Sequence, residues 1–114
     1  MLNPTTETLR PAENVVGPGH AYALADVRLD IPDPRTAVFR ARLNGPAGAQ
    51  VWARAWLCSE ADGTLAETAS TPLTAGDEVT LTVRLERDAT PEAGCIRIES
   101  APLATEHVVC MKLP

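Results

Sequence analysis

Three cysteines and two histidines are the residues of this 114-residue chain best suited to chemistry. They are Cys58, Cys95, Cys110, His20 and His107. A thiolate beside an imidazole is a nucleophile, and the same side chains bind zinc or copper. Their spacing supports neither use, because the chain has no Cys-x-x-Cys and no His-Glu-x-x-His motif. A phosphate-binding glycine loop is absent from the sequence as well. We expect no catalytic residues, no metal and no cofactor, and a small Cys/His-dependent enzyme is the least favoured function.

The cysteines are also predicted to stay unpaired. Residues 95–113 have the pattern of a β-hairpin, and a register that pairs Ile98 with Val109 buries the apolar residues of both strands. In that register Cys95 and Cys110 are diagonal neighbours with Cα atoms about 7–8 Å apart, which exceeds the reach of a disulfide. We therefore expect free thiols packed as small apolar side chains.

A second set of residues has the character of a binding surface. Both tryptophans, Trp52 and Trp56, lie in a segment from Pro34 to Ser59 that has four arginines and no acidic residue, which gives it a charge of +4. Its arginines are Arg35, Arg40, Arg42 and Arg54. Tryptophan and arginine are the side chains most enriched in the binding hot spots of protein interfaces.

The direction of the two indoles depends on how residues 36–58 fold. Their alternating apolar and polar residues predict a hairpin, and a register that joins Phe39 to Ala55 turns both tryptophans outward. The competing register turns both tryptophans inward but also buries Arg54 without an acidic partner, which is costly. We therefore predict one outward surface that binds a partner. It consists of Arg40, Arg42, Trp52, Arg54 and Trp56.

The same two-residue period recurs along most of the chain. It is strictest at Glu78–Arg87, where valine and leucine alternate with polar residues, and the intervening segments carry Gly, Pro and Asp-Gly turns. Strands are predicted at residues 20–31, 36–43, 49–58, 64–70, 78–87, 95–100 and 107–113. The predicted fold is all-β, a two-sheet antiparallel sandwich of 7–8 strands that is immunoglobulin- or fibronectin III-like or a jelly roll. Residues 1–19 are expected to form an N-terminal arm with one short strand at Glu13–Val16, and residues 20–114 the sandwich domain.

Composition excludes several classes of partner. A net charge of −5 opposes nucleic-acid binding, which requires a basic surface. No stretch has the apolar length of a membrane span, and the N-terminus lacks the basic and apolar regions of a secretory signal. An odd number of cysteines without framework spacing suits a reducing compartment. We therefore expect a cytoplasmic protein that binds neither nucleic acid nor membrane.

The favoured function is a non-enzymatic binding or assembly module that contacts another protein chain, or a second copy of itself, through the Arg/Trp surface. The alternative is a carbohydrate-binding jelly roll in which Trp52 and Trp56 form a stacking platform. A purely structural interpretation competes with both. In it the N-terminal arm, or Leu65 and Ala69 of the next strand, cover the indoles.

Overall fold

A computed structural model describes residues 1–11, 22–100 and 105–114, and within them it contains eight β-strands and no helix. The strands are β1 (Ala23–Asp33), β2 (Thr36–Asn44), β3 (Gln50–Ser59), β4 (Gly63–Glu67), β5 (Thr71–Thr74), β6 (Glu78–Arg84), β7 (Ala93–Ser100) and β8 (Thr105–Lys112). The all-β prediction is confirmed. The predicted strand at Glu13–Val16 lies outside the described residues, and the division into an arm and a domain stays a prediction.

The strands form two antiparallel sheets that enclose one core. A three-stranded sheet has the order β1-β2-β6, and a five-stranded sheet has the order β4-β3-β7-β8, with β5 also paired to β3. β1, β2 and β6 thus lie in one sheet, and β3, β7 and β8 lie in the other. Immunoglobulin-like sandwiches divide their strands A, B and E from C, F and G in the same way. The structure establishes a two-sheet antiparallel β-sandwich, and the choice among the predicted sandwich types stays a prediction.

Period-two alternation explains why each strand buries only one face. In β6 the residues Val79, Leu81 and Val83 are buried, whereas Thr80 and Thr82 are exposed. Inward side chains from both sheets meet in a single apolar cluster, in which Phe39 is the largest fully buried side chain. Because most of the other members are aliphatic, the interior is packed by leucine, isoleucine, valine and alanine.

The outer edge of β3 is shared by two short strands. β5 pairs with Gln50–Ala53, and β4 pairs with Trp56–Ser59. Thr68 lies between them, where its N–H donates to the carbonyl of Ala55 at 2.9 Å and its hydroxyl accepts from the N–H of Ala55 at 3.0 Å. Thr68 thereby continues the ladder where no strand is present, so the middle of β3 remains bonded along this edge.

The free edge of β1 is covered by the N-terminal residues. Leu9 forms an antiparallel bridge with Leu29, and the N–H of Thr5 donates to the carbonyl of Ile31 at 3.1 Å. The register of β1 also shifts near Asp26, whose φ of 52° is left-handed. Such irregularities re-aim an edge strand, and asparagine and aspartate tolerate this conformation better than most residues do. Residues 1–11 therefore cover the β1 edge of the three-stranded sheet.

The turn between β1 and β2 is fixed by Asp33. Its Oδ1 accepts a hydrogen bond from the backbone N–H of Arg35 at 2.8 Å. This bond favours the carboxylate and lowers the pKa of Asp33, with smaller contributions from Thr36 and Arg84. Short Asx contacts of this kind hold turn geometry between paired strands.

Gly94, the second residue of β7, leaves space for the Phe39 ring. A Cβ at position 94 would lie 2.9 Å from Cζ of Phe39 and 3.4 Å from side-chain atoms of Leu29 and Leu57. We expect Gly94→Ala to lower the free energy of unfolding by about 1–3 kcal/mol through overpacking. Chemical denaturation measures this loss. Gly48→Ala is no suitable control, because Gly48 has a φ of 78°. The comparison variant is Ala93→Gly in the same strand, which adds no atoms to the core and is expected to cost only about 0.5–1 kcal/mol through backbone entropy.

The predicted hairpin between β2 and β3 is wrong. β2 pairs with β1 and β6, whereas β3 pairs with β4, β5 and β7, so the connection through Gly45–Ala49 crosses from one sheet to the other. Phe39 and Ala55 therefore face the same core from opposite sheets rather than as neighbours on one sheet. The alternation is identical in both arrangements, because each strand buries the same face.

Candidate binding surface

The outer face of the five-stranded sheet carries both tryptophans. Trp52, Arg54 and Trp56 alternate along β3 with the fully buried Ala53 and Ala55. Trp52 is 48% exposed, and Trp56 is half-buried. The prediction that both indoles point away from the core is confirmed. The surface formed by Trp52, Arg54 and Trp56 with their outward neighbours on β4, β7 and β8 is called the tryptophan face below.

Arg54, which alternates with the two tryptophans along β3, contacts the ring of Trp56. Its Cζ is 5.6 Å from the ring centroid of Trp56, within the range of a cation–π contact. Its Nη1 lies 3.8 Å from Oε2 of Glu67, an ion pair too long to be a hydrogen bond. Among the described residues its buried Nε has no hydrogen-bond partner. Arg54 therefore covers part of Trp56 and retains hydrogen-bonding capacity that its neighbours do not use.

The neighbouring strands complete the tryptophan face. Arg97 of β7 is directly opposite Arg54, and its Nη2 lies 3.1 Å from Oε2 of Glu99. Val108 of β8 is opposite Arg97 and is 39% exposed. Two arginines side by side destabilise an antiparallel pair unless carboxylates lie near them. Glu67 and Glu99 provide that charge here, so the face is mixed in sign rather than strongly basic.

Arg40 and Arg42 do not belong to this face, and their predicted place beside the tryptophans is wrong. Both lie on β2, in the three-stranded sheet, and point outward from the opposite side of the sandwich. Nη1 of Arg40 lies 2.7 Å from Oδ2 of Asp30, so its charge is already paired. Arg42 is exposed opposite Glu78. The +4 charge counted along the sequence is therefore divided between two faces and partly neutralised.

A disulfide lies on the tryptophan face, where free thiols were predicted. Cys95 and Cys110 are directly opposite in the β7–β8 ladder, with Cα atoms 4.1 Å apart, and they are bonded. The bond from the N–H of Leu113 to the carbonyl of Glu92 shows that this is a non-hydrogen-bonded position, where Cα atoms approach most closely. The predicted register was wrong by two residues, since Val109 lies opposite Ile96 rather than Ile98.

The other candidates for chemistry are not brought together. Cys58 is a free, half-buried thiol on β3, whereas Nδ1 of His107 accepts a hydrogen bond from the backbone N–H of Leu24 at 3.2 Å. That bond joins β8 to β1 and gives His107 a structural role. His20 lies outside the described residues.

The described part of the chain carries neither a metal-binding cluster nor a membrane-spanning helix. There, no group of three or more His, Cys, Asp or Glu side chains is arranged to hold a metal ion. In residues 1–11, 22–100 and 105–114, no helix is long and apolar enough to cross a membrane. Neither a protein-family model, nor a curated protein, nor a solved structure matches the chain.

Proposed function

We propose that this protein is a non-enzymatic binding or assembly module whose tryptophan face contacts another protein chain. The observation that carries the proposal is that Trp52, although it lies within a strand, is 48% exposed. A half-exposed indole fixed by a rigid sheet loses little conformational entropy when a partner covers it, and Trp is among the strongest hot-spot residues. Val108 of β8, 39% exposed, adds a second exposed apolar side chain on the same face, beyond Arg97.

The charged side chains of the tryptophan face indicate which groups a partner surface would present to it. The tryptophan face presents the paired arginines Arg54 and Arg97 near its centre, and its carboxylates are Glu67 and Glu99. A partner that places an acidic or carbonyl oxygen near Arg54 supplies an acceptor for its Nη1, whose 3.8 Å ion pair with Glu67 is too long to be a hydrogen bond. We therefore expect the partner surface to combine an apolar contact for Trp52 with hydrogen-bond acceptors near Arg54.

Substitution of the exposed indole tests the proposal. Trp52→Ala is expected to weaken binding to a partner by 2 kcal/mol or more, about a thirtyfold loss, because hot-spot tryptophans contribute on this scale. Partners captured from the source organism are measured by calorimetry against wild type and variant. The matched control is Arg42→Ala, which removes an exposed side chain from the opposite face. Equal binding by wild type and Trp52→Ala would contradict the proposal.

A carbohydrate ligand is the second candidate, because Trp52 and Trp56 lie on one face of one strand. A sugar ring stacked on an indole changes its fluorescence, so titration of oligosaccharides with tryptophan emission as the readout separates the two candidates. Saturable shifts that disappear in Trp52→Ala favour the sugar. Unchanged emission across a glycan panel favours the protein partner.

The cytoplasmic location stays a prediction, and the disulfide weighs against it. Disulfides persist in oxidising environments and are rare in the reducing cytosol. The Cys95–Cys110 bond therefore favours a compartment or a time in the life of the protein when thiols are oxidised. Mass spectrometry of protein alkylated directly in cells gives the oxidation state where the protein functions.

A further inference from the structure

The strand β6 forms a free edge of the three-stranded sheet. Among the described strands it pairs only with β2. The N–H of Leu43 donates to the carbonyl of Asp77, and the N–H of Leu85 donates to the carbonyl of Arg35, in one continuous register. Odd-numbered residues of this strand therefore bond to β2, and the backbone groups of even-numbered residues point to the free edge. The latter are Glu78, Thr80, Thr82 and Arg84.

Two other edges carry protection that β6 lacks. β1 is covered by the N-terminal residues and has an irregular register near Asp26. β4 and β5 are short, and β5 contains Pro72. Short strands, proline and irregularities are the devices that natural proteins use against edge-to-edge pairing. β6 is seven residues long, keeps a regular register throughout, and has no proline, glycine or lysine. It is thus able to accept another strand along its whole length.

We propose that β6 pairs antiparallel with β6 of a second copy of this chain, with the twofold axis at Leu81. In this register Glu78 lies opposite Arg84 of the second copy, and Thr80 opposite Thr82. All four are even-numbered residues, so their free backbone groups meet as hydrogen-bonded pairs. The result is one continuous six-stranded sheet across two copies. This goes beyond the proposed function, because it uses a sheet edge rather than the tryptophan face.

The outward side chains are complementary in this register, and neither of the two neighbouring registers pairs them better. The two Glu78–Arg84 pairs join opposite charges, and threonine pairs are favourable across antiparallel strands. Glu78 already lies 2.9 Å from Nη2 of Arg28, but a carboxylate accepts further hydrogen bonds. A shift of two residues one way sets Glu78 against Glu86, and a shift the other way sets it against Thr82. Charge complementarity therefore selects a second copy of this strand.

The inward side chains are compatible with the same pairing. Val79 and Leu81 are 7% and 5% exposed, so each core is nearly closed before association. Backbone hydrogen bonds and outward pairs, rather than a large apolar interface, would hold such a dimer. We expect a concentration-dependent dimer that dissociates on dilution, with salt weakening it through the Glu78–Arg84 pairs.

Charge reversal gives the sharpest test. Sedimentation velocity of the full chain over a concentration series measures the dimer affinity. Glu78→Arg and Arg84→Glu each place like charges together twice per dimer, so each is expected to weaken affinity by about tenfold or more. The double variant Glu78→Arg/Arg84→Glu restores both pairs with the original net charge and is expected to recover the wild-type affinity.

Removal of one edge N–H is the second test. Thr82→Pro deletes a donor that points to the free edge and leaves the bonds to β2, a change that edge strands tolerate. It is expected to give a monomer, whereas Thr82→Ala keeps the N–H and retains the dimer. Circular dichroism verifies that each variant is folded.

Amide hydrogen exchange locates the contact. The amides of Glu78, Thr80, Thr82 and Arg84 are expected to gain protection as concentration rises, whereas those of Val79 and Leu81 are protected at every concentration. A strict monomer at high concentration overturns this inference. A dimer that neither Thr82→Pro nor the single charge reversals weaken also overturns it. A dimer that is lost only in Trp52→Ala would instead be formed through the tryptophan face.

Discussion

Phe39→Ala is expected to lower the free energy of unfolding by about 3–5 kcal/mol, the range for truncation of a buried phenylalanine. Phe39 is fully buried, and its ring occupies the space above Gly94 that no Cβ fills. The cavity that alanine leaves lies between two hydrogen-bonded sheets, so neither sheet is free to collapse into it. Urea or guanidinium denaturation monitored by tryptophan fluorescence measures the loss.

Trp52→Ala provides the control for this prediction. It removes an aromatic side chain of larger size from the outer face of the other sheet, where water already contacts 48% of the residue. We expect it to cost less than half as much stability as Phe39→Ala. An equal or larger loss would contradict both the cavity argument and the interpretation of Trp52 as a contact residue.

The fold was predictable because alternation determines which face of each strand is buried. Phe39, Ala55 and Leu81 all lie inside as the pattern requires. The sheet to which each strand belongs was not predictable from the same pattern. β2 and β3 satisfy it equally as hairpin partners or as strands facing each other across the core, and the connection through Gly45–Ala49 is compatible with either. Long-range pairing, such as that of β2 with β6, decides the question.

The disulfide was missed for a related reason. A shift of one residue exchanges the two faces of a strand, but a shift of two leaves every side chain on its own face. Burial of Ile96 and Val109 was therefore compatible with the predicted register as well as with the observed one. The cysteines themselves held the missing signal. Only one of the two registers places Cys95 directly opposite Cys110, at a distance that a disulfide spans.

The candidate binding surface was partly predictable. The outward direction of Trp52 and Trp56 followed from the cost of burying Arg54, and that reasoning did not depend on which strand lies beside β3. The assignment of Arg40 and Arg42 did depend on it and failed with the hairpin. Arg97 and Val108 were missed because nothing in the linear sequence places β7 and β8 beside the tryptophans.

Removal of the Cys95–Cys110 disulfide is expected to lower the free energy of unfolding by about 3 kcal/mol, because the bond closes a loop with a sequence separation of 15. In the chain-entropy account, a loop of this length restricts the unfolded state by that amount. β8 is the last strand of its sheet, and the disulfide ties it to β7 on the outer face. The double variant Cys95→Ala/Cys110→Ala, denatured in parallel with wild type, measures the effect.

Adding reductant distinguishes the effect of breaking the disulfide bond from the effect of replacing the two cysteine side chains. Wild type with reductant is expected to unfold at the denaturant concentration of the double variant, which itself does not respond to reductant. Cys58→Ala keeps the bond and is expected to remain sensitive. A wild-type midpoint that reductant leaves unchanged would mean that β7 and β8 are held by their ladder and by the inward contacts of Ile96 and Val109 alone. The tryptophan face would then keep its geometry in a reducing compartment as well, so the disulfide would no longer weigh against the cytoplasm.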